Sequence, residues 1–302
     1  MVKASRTTPE GVCDPMTAHG GSNLRRRVTA SAAAAGAMAV PIPDSATHRG
    51  RFTTPFRFGA GLIDAVEVTV LEELADPDDR DGDGISGRIG VDATGRPARF
   101  GRKANVATLQ DFADEAFRLE MGITTPAHPD EANAGGVPAV PGQVDPADEP
   151  EITEATLAAT VDFVRMLAPP QPRPDSSARV ARGAELFSSL GCAGCHVPQM
   201  TTGMHEVSAL SERTFALYSD LLLHDMGPEL ASTCTEGALP EEYRTEPLMG
   251  LRYRKSFLHD GRAGRVRDAI MMHGGEAAAA RQRFAELDRV VQEALLEFLS
   301  TL

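Results

Sequence analysis

No tryptophan and only three tyrosines occur among the 302 residues. Few rings are therefore available for stacking bases, and charge excludes nucleic acid a second time. Basic residues number 30 against 43 acidic ones, a formal net charge of -13 that repels phosphate backbones. No run of eighteen or more strongly apolar residues occurs, so no helix is expected to span a membrane in the mature protein. There is no collagen period and no heptad series. Four cysteines are too few for a disulfide-built scaffold. What is present is a globular composition: 42% hydrophobic residues over a length that suits two domains of ordinary size. Twenty-eight glycines and 21 prolines predict many turns and loops.

Two cysteines, Cys13 and Cys234, are solitary. The others form Cys192-Ala-Gly-Cys195-His196. This is C-x-x-C-H, the attachment site of a c-type haem. Both thiols add to porphyrin vinyl groups as thioethers, and the adjacent imidazole reaches the iron from one face. A zinc site would want a second Cys/His pair at ligand spacing, and none is obvious. A thioredoxin-like C-x-x-C would follow a strand, whereas this motif follows a helix. Ser176 and Ser177 supply caps for that helix, Val180, Ala184, Phe187 and Leu190 recur at its spacing, and Gly191 ends it. At the far end, Arg281 to Leu302 reads as one amphipathic helix with Phe284, Leu287, Val291, Leu295 and Phe298 on its apolar stripe. The first and last helices packed across each other would close a haem pocket.

The remaining chain divides by composition. Residues 1–50 are Ala-, Arg- and Thr-rich and poorly defined. Residues 51–174 are expected to form one unit, in which Arg51 to Thr125 look globular, with a periodic stretch Leu62 to Leu74 and a helix near Thr108 to Met121, and Glu151 to Leu167 read as a further helix that Thr153 can cap. Pro126 to Pro150 reads as a long loop or linker, and the Pro-rich 168–174 as a stiff boundary. The haem domain is expected at 175–302.

Five blocks of that last segment resemble a known family. They are Gly191 to Pro198, Tyr218 to Gly227, Arg244 to Leu251, Phe257 to Ala263 and His273 to Glu276. Upstream, Ala75 to Arg88, Arg99 to Gly101 with Lys103-Ala104, and Met121 to Thr124 continue the match. The chain resembles the bacterial di-haem cytochrome c peroxidase-like oxidoreductases, in the branch labelled thiol oxidoreductases, over roughly residues 50–302. The resemblance implies a mainly α fold, with a C-terminal cytochrome c-like domain packed on a degenerate, loop-rich N-terminal one. It also implies a second C-x-x-C-H near the N-terminus. Here the corresponding stretch, Gly11 to Ser22, keeps only Cys13, His19 and the glycines. With one haem, electron transfer is the expected role and peroxidase turnover is in doubt.

His196 is the proximal ligand of this reading. Across the pocket the candidates are His224, Met226, His259, Met271, Met272 and His273. Val266, Ile270 and His273 share a helical face, and family resemblance puts a variable axial ligand near His273. The bland alternative is that His273 caps its helix before Gly274-Gly275. Met271 and Met272 are expected in the core, His259 in a structural His-Asp-Gly turn near the haem edge, and His224 in a supporting or core role. His19, His48, His128 and His205 lie in polar stretches and are expected to be solvated.

Asp79, Asp81 and Asp83 follow D-x-D-x-D-G, the first half of a calcium loop. The closing acid is missing, because Gly90 stands twelfth from Asp79, though Asp76 and Asp78 are near. The alternative is a solvated acidic turn. Arg25 to Arg27, then Val28 to Val40 with Ala37-Met38-Ala39, has the form of a signal peptide. The competing reading, which we prefer, is the segment after the missing first haem site. Covalent haem is attached outside the cytoplasm, so a periplasmic or otherwise exported protein is expected. Such a compartment lets Cys13 and Cys234 pair. The expected partner is a redox protein or small electron donor. Two other functions stay open: a thiol–disulfide enzyme using Cys192 and Cys195, and a non-catalytic scaffold that binds a redox partner.

Overall fold

The computed structural model describes residues 2–19, 21, 23–24, 26–34, 39–130 and 147–302. The signal-like cleavage residues Ala37-Met38 and linker residues 131–146 lie outside them. Helix exceeds strand, 34% against 13%. Mainly α therefore holds only in the sense that helix dominates a loop-rich chain.

Residues 1–50, expected to be poorly defined, contribute a short helix, α1 (Ala30–Ala34), and all but one residue of a small three-stranded sheet. β1 (Val2–Thr7) pairs antiparallel with β2 (Cys13–Asp14) on one side and with β3 (His48–Arg51) on the other. Cys13 is disulfide-bonded to Cys234, 221 residues away. The amide of buried Cys234 also donates to Ser5 Oγ, so β1 and β2 are both tied to the distant loop.

One hydrophobic core gathers α2 (Ala60–Asp64), α3 (Val68–Leu74), α4 (Leu109–Glu115) and α5 (Glu154–Arg165). The periodic stretch 62–74 is thus two short helices, broken at Ala65 to Glu67. α4 and α5 start where their caps dictate: Thr108 and Thr153 side chains accept from Asp111 N and Thr156 N. Met200, Phe215, Leu217, Leu221 and Leu222 join the same core. It therefore draws residues from both sides of the Pro-rich boundary.

A second core holds the site. α6 (Ala178–Ser189) is capped by Ser177, whose side chain accepts from Val180 N. The expected C-terminal helix is two: α8 (Ala278–Ala285) and α9 (Arg289–Leu299). The apolar stripe runs on through the break, which is why periodicity cannot reveal it. Buried Gln292 heals it by donating to the carbonyls of Phe284 and Leu287, both at 3.0 Å. α6 and α9 cross closely, burying Val180, Leu186 and Phe187 against Ala294, Leu295 and Phe298. Phe187, Tyr218 and Phe298 pack mutually edge to face.

Candidate functional site

Gly191 ends α6 in a left-handed turn (φ 84°) and delivers the chain into a 3-10 turn, Cys192–Gly194. The turn closes with His196 N donating to Cys192 O. Cys192, Cys195 and His196 line one cavity of about 490 Å³, within the range of small-molecule and cofactor sites. Its walls include Phe187, Leu251, Phe257 and Leu295. The two thiols are free, and burial pushes Cys192 up to about 11 and raises Cys195 as well.

His273 opens onto the same cavity. It sits just past α7 (Val266–Met271), whose Val266, Ala269 and Ile270 also line it. His273 Nδ1 lies 2.7 Å from Ala269 O. His196 Nδ1 lies 3.0 Å from Tyr218 O. A carbonyl can only accept, so each Nδ1 carries the proton and each Nε2 keeps its lone pair. Among the described residues neither Nε2 has a hydrogen-bond partner. Burial holds His196 at about 4 and lowers His273 as well, so both rings are neutral, the form that binds a metal. His273 thus does cap its helix, as the bland alternative supposes, and the capping bond is what presents Nε2.

Of the other candidates, His224, Met226 and His259 also line the cavity, and Met271 and Met272 do not. Met271 and Met272 are not core residues: they are 40% and 39% exposed and do not line the cavity. Helix α7 is short, and it turns its other face inward. Met226 packs in the apolar cluster of Phe52, Leu230 and Tyr243. His224 is buried with both ring nitrogens engaged, Nε2 to Asp220 at 2.8 Å and Nδ1 to Glu276 at 2.7 Å. Burial opposes its charge, but hydrogen bonds to Asp220, Cys195 and Glu276 push it up to about 12. It is an imidazolium beside Cys195, whose Sγ lies 3.7 Å from Nδ1. His259 is buried and stacks on Tyr243 at 4.4 Å between ring centroids. His19 and His128 are exposed, as expected. His48 and His205 are half-buried and hydrogen-bonded, to Thr7 Oγ1 and Val207 N.

The acidic loop abuts this site. Asp79, Asp81 and Asp83 have carboxylate oxygens within 4.8 Å of one another, and each also accepts a loop amide. Ile85 then packs on Gly194 of the C-x-x-C-H turn, and Ser86 donates to Glu276 from its amide and hydroxyl. Glu276 is therefore the shared partner of the loop and of His224. Sequence reading did not foresee this, because Ser86 and Glu276 lie 190 residues apart.

The profile of the family described as "Di-haem oxidoreductase, putative peroxidase" matches residues 43–302. The chain belongs to this family. No curated protein matches it. Among solved structures, hydrazine synthase of Kuenenia stuttgartiensis is similar at 18% identity, covering 74% of this chain and 70% of that one with a TM-score of 0.40. A MauG-like protein associated with microbial copper homeostasis is similar at 15% identity, covering 93% and 92%, also with a TM-score of 0.40. Both likenesses are too loose to carry an argument. Within a family named for two haems, this chain has one C-x-x-C-H. Cys13 is spent on a disulfide with Cys234. A cavity of about 110 Å³ beside the disulfide is lined by Lys3, Asn23 and Glu120 together with Phe52, Phe112 and Leu119.

Proposed function

We propose that this chain is an exported electron-transfer protein with one covalent haem c. Cys192 and Cys195 would hold the haem as thioethers, and His196 and His273 would hold its iron. The observation that carries this reading is the pair of neutral imidazoles on one cavity, each with Nδ1 anchored and Nε2 free. The donor set fits the group: two thiols and two imidazoles line a pocket of cofactor size. When bound, the haem supplies one-electron chemistry. The chain's own residues orient the ligands through Tyr218 O and Ala269 O, exclude water with Phe187, Leu251 and Leu295, and place the His224 imidazolium beside the attachment turn.

Residues 175–302 would be the haem domain and 51–174 its degenerate counterpart, with a redox protein or small electron donor as partner. The disulfide and the small neighbouring cavity favour one haem over two. If His196 and His273 both hold the iron, electron transfer would be favoured over peroxide turnover. The thiol–disulfide reading is disfavoured by burial, which raises both thiols and so suppresses the thiolates that exchange needs. The Asp79, Asp81 and Asp83 loop would take a calcium ion and brace the attachment turn through Ile85 and Ser86.

Haem stoichiometry tests this. The pyridine haemochrome spectrum of denatured protein, with intact mass, should report one covalent haem per chain, and none in the Cys192→Ala/Cys195→Ala variant. Two titratable thiols in the mature protein, with no haem, would overturn the assignment.

A further inference from the structure

The cavity that holds Cys192, Cys195, His196 and His273 has an edge whose charge opposes that of the whole chain. Its lining includes Arg102, Arg244, Arg254, Lys255, Arg281 and Arg283 against three acids, Asp83, Glu246 and Glu276, in a chain of net charge -13. Three of the cations are spent inside the protein: Arg102 and Arg244 reach Glu246 at 2.9 Å, and Arg254 at 2.7 Å. Glu276 is likewise spent, on His224 and Ser86. Asp83 turns back into the acidic loop and accepts the amide of Ile85. Lys255, Arg281 and Arg283 have no carboxylate partner among the described residues. Lys255 and Arg283 are exposed and Arg281 is half-buried, so their charge faces solvent. Arg283 is fixed in place, because its Nε donates to Leu190 O beside the attachment turn.

Between these cations the wall is low. Ala277 to Ala280 are four alanines in a row that run straight into Arg281 and Arg283. Ala277, Ala279 and Ala280 line the cavity, and Ala279 is also exposed, so the cavity meets the surface here. Side chains that stop at Cβ give the thinnest cover a helix can offer short of glycine. The result is a small apolar shelf over the cavity, flanked by unpaired positive charge. An apolar centre within a charged rim is the anatomy of a protein interface in which charge steers the encounter.

We propose that this shelf is the docking site of an acidic one-electron carrier protein, seated on Ala277 to Ala280 and steered by Lys255, Arg281 and Arg283. The inference rests on the one-haem reading of the chain: with a single haem, electrons have no internal donor and enter from outside. One electron passes from the reduced carrier to ferric haem. The carrier leaves oxidised by one electron, the haem becomes ferrous, no bond forms or breaks and no proton moves. The distant acidic surplus does not prevent the encounter. At physiological ionic strength charges are screened beyond about 8 Å, so an approaching acidic surface senses the rim first.

The test follows reduction of the ferric holoprotein by the hydroquinone of flavodoxin, an acidic one-electron donor, in stopped flow. Between two net-negative proteins, whole-molecule charge predicts a rate that rises with salt. A cationic docking rim predicts the opposite, a rate that falls from about 10 mM to about 1 M ionic strength. Lys255→Glu/Arg281→Glu should lose about tenfold at the low end and less than about twofold at the high end. Arg289→Glu, an exposed cation that does not line the cavity, should keep the wild-type rate. Lys255→Gln/Arg281→Gln serves if the reversed pair does not load haem, with a smaller loss in the same direction. Titrating oxidised flavodoxin into nitrogen-15-labelled holoprotein should shift the amides of residues 277–283. A rate that does not fall with salt, equal rates in wild type and the double variants, or amide shifts confined to other surfaces would overturn the proposal while leaving the haem assignment standing. Wild type without covalent haem would overturn both.

Discussion

Gly183 of α6 lies directly against Ala294 of α9: a Cβ on Gly183 would sit 2.2 Å from the Ala294 carbonyl oxygen and 2.6 Å from Phe298 Cβ. The helices cross at a point where neither backbone can retreat without opening the second core. Gly183→Ala should therefore destabilise the protein by about 1–3 kcal/mol or more, despite its better helix propensity. Thermal unfolding followed at the haem band will check this, and an unchanged midpoint would mean the crossing is slack.

Ligation of the proposed haem iron by His273 would have a spectroscopic signature. The wild type should be six-coordinate and low-spin, without the near-infrared band of a methionine ligand. His273→Ala should become high-spin and admit cyanide. Met271→Ala and Met272→Ala should leave the spectrum unchanged, since both side chains face outward. Loss of a sulfur-to-iron band in either methionine variant would remove His273 from the iron.

Acid should weaken the fold through His259. Burial depresses it from its ordinary value to about 4, with Arg262, Lys103 and Arg102 acting in the same direction and Asp260 opposing. Tyr243 stacks on the ring, and Phe52 packs against it at a tilt. The unfolded chain takes up a proton as pH falls through about 6.5 while the folded one does not, so stability is lost from there down to about 4. The loss is on the order of 1 kcal/mol per pH unit. Urea melts at stepped pH should show a shallower slope in His259→Phe, and equal slopes would absolve this residue.

Calcium chelation should lower the melting temperature if Asp79, Asp81 and Asp83 hold an ion. Bound at a hundredfold excess over its dissociation constant, the ion would contribute about 2.7 kcal/mol. Asp81→Ala should abolish the response. Identical melting curves with and without chelator would return the loop to a solvated acidic turn.

How much of this was legible depends on the range of each interaction. Ser177, the helix it caps and the C-x-x-C-H turn are local and could be read directly. The crossing of α6 and α9 followed from two apolar stripes. The α8–α9 break was hidden, because Phe284, Leu287 and Val291 keep period while Gln292 takes up the freed carbonyls. The clamp on His224 and the arginine cluster on Glu246 were also hidden: their members come from separate segments, and a buried Arg reads in sequence like a solvated one. Met271 and Met272 misled because composition says apolar while α7 turns them outward.

The Cys13–Cys234 bond also bears on how the protein is made. Four cysteines allow three ways of pairing, and a chain oxidised before maturation could be trapped in any of them. With Cys192 and Cys195 alkylated by the proposed haem, only one pairing would remain. Haem attachment would then act as a proofreading step for the disulfide, and the order of the two events would decide the yield of correctly assembled protein.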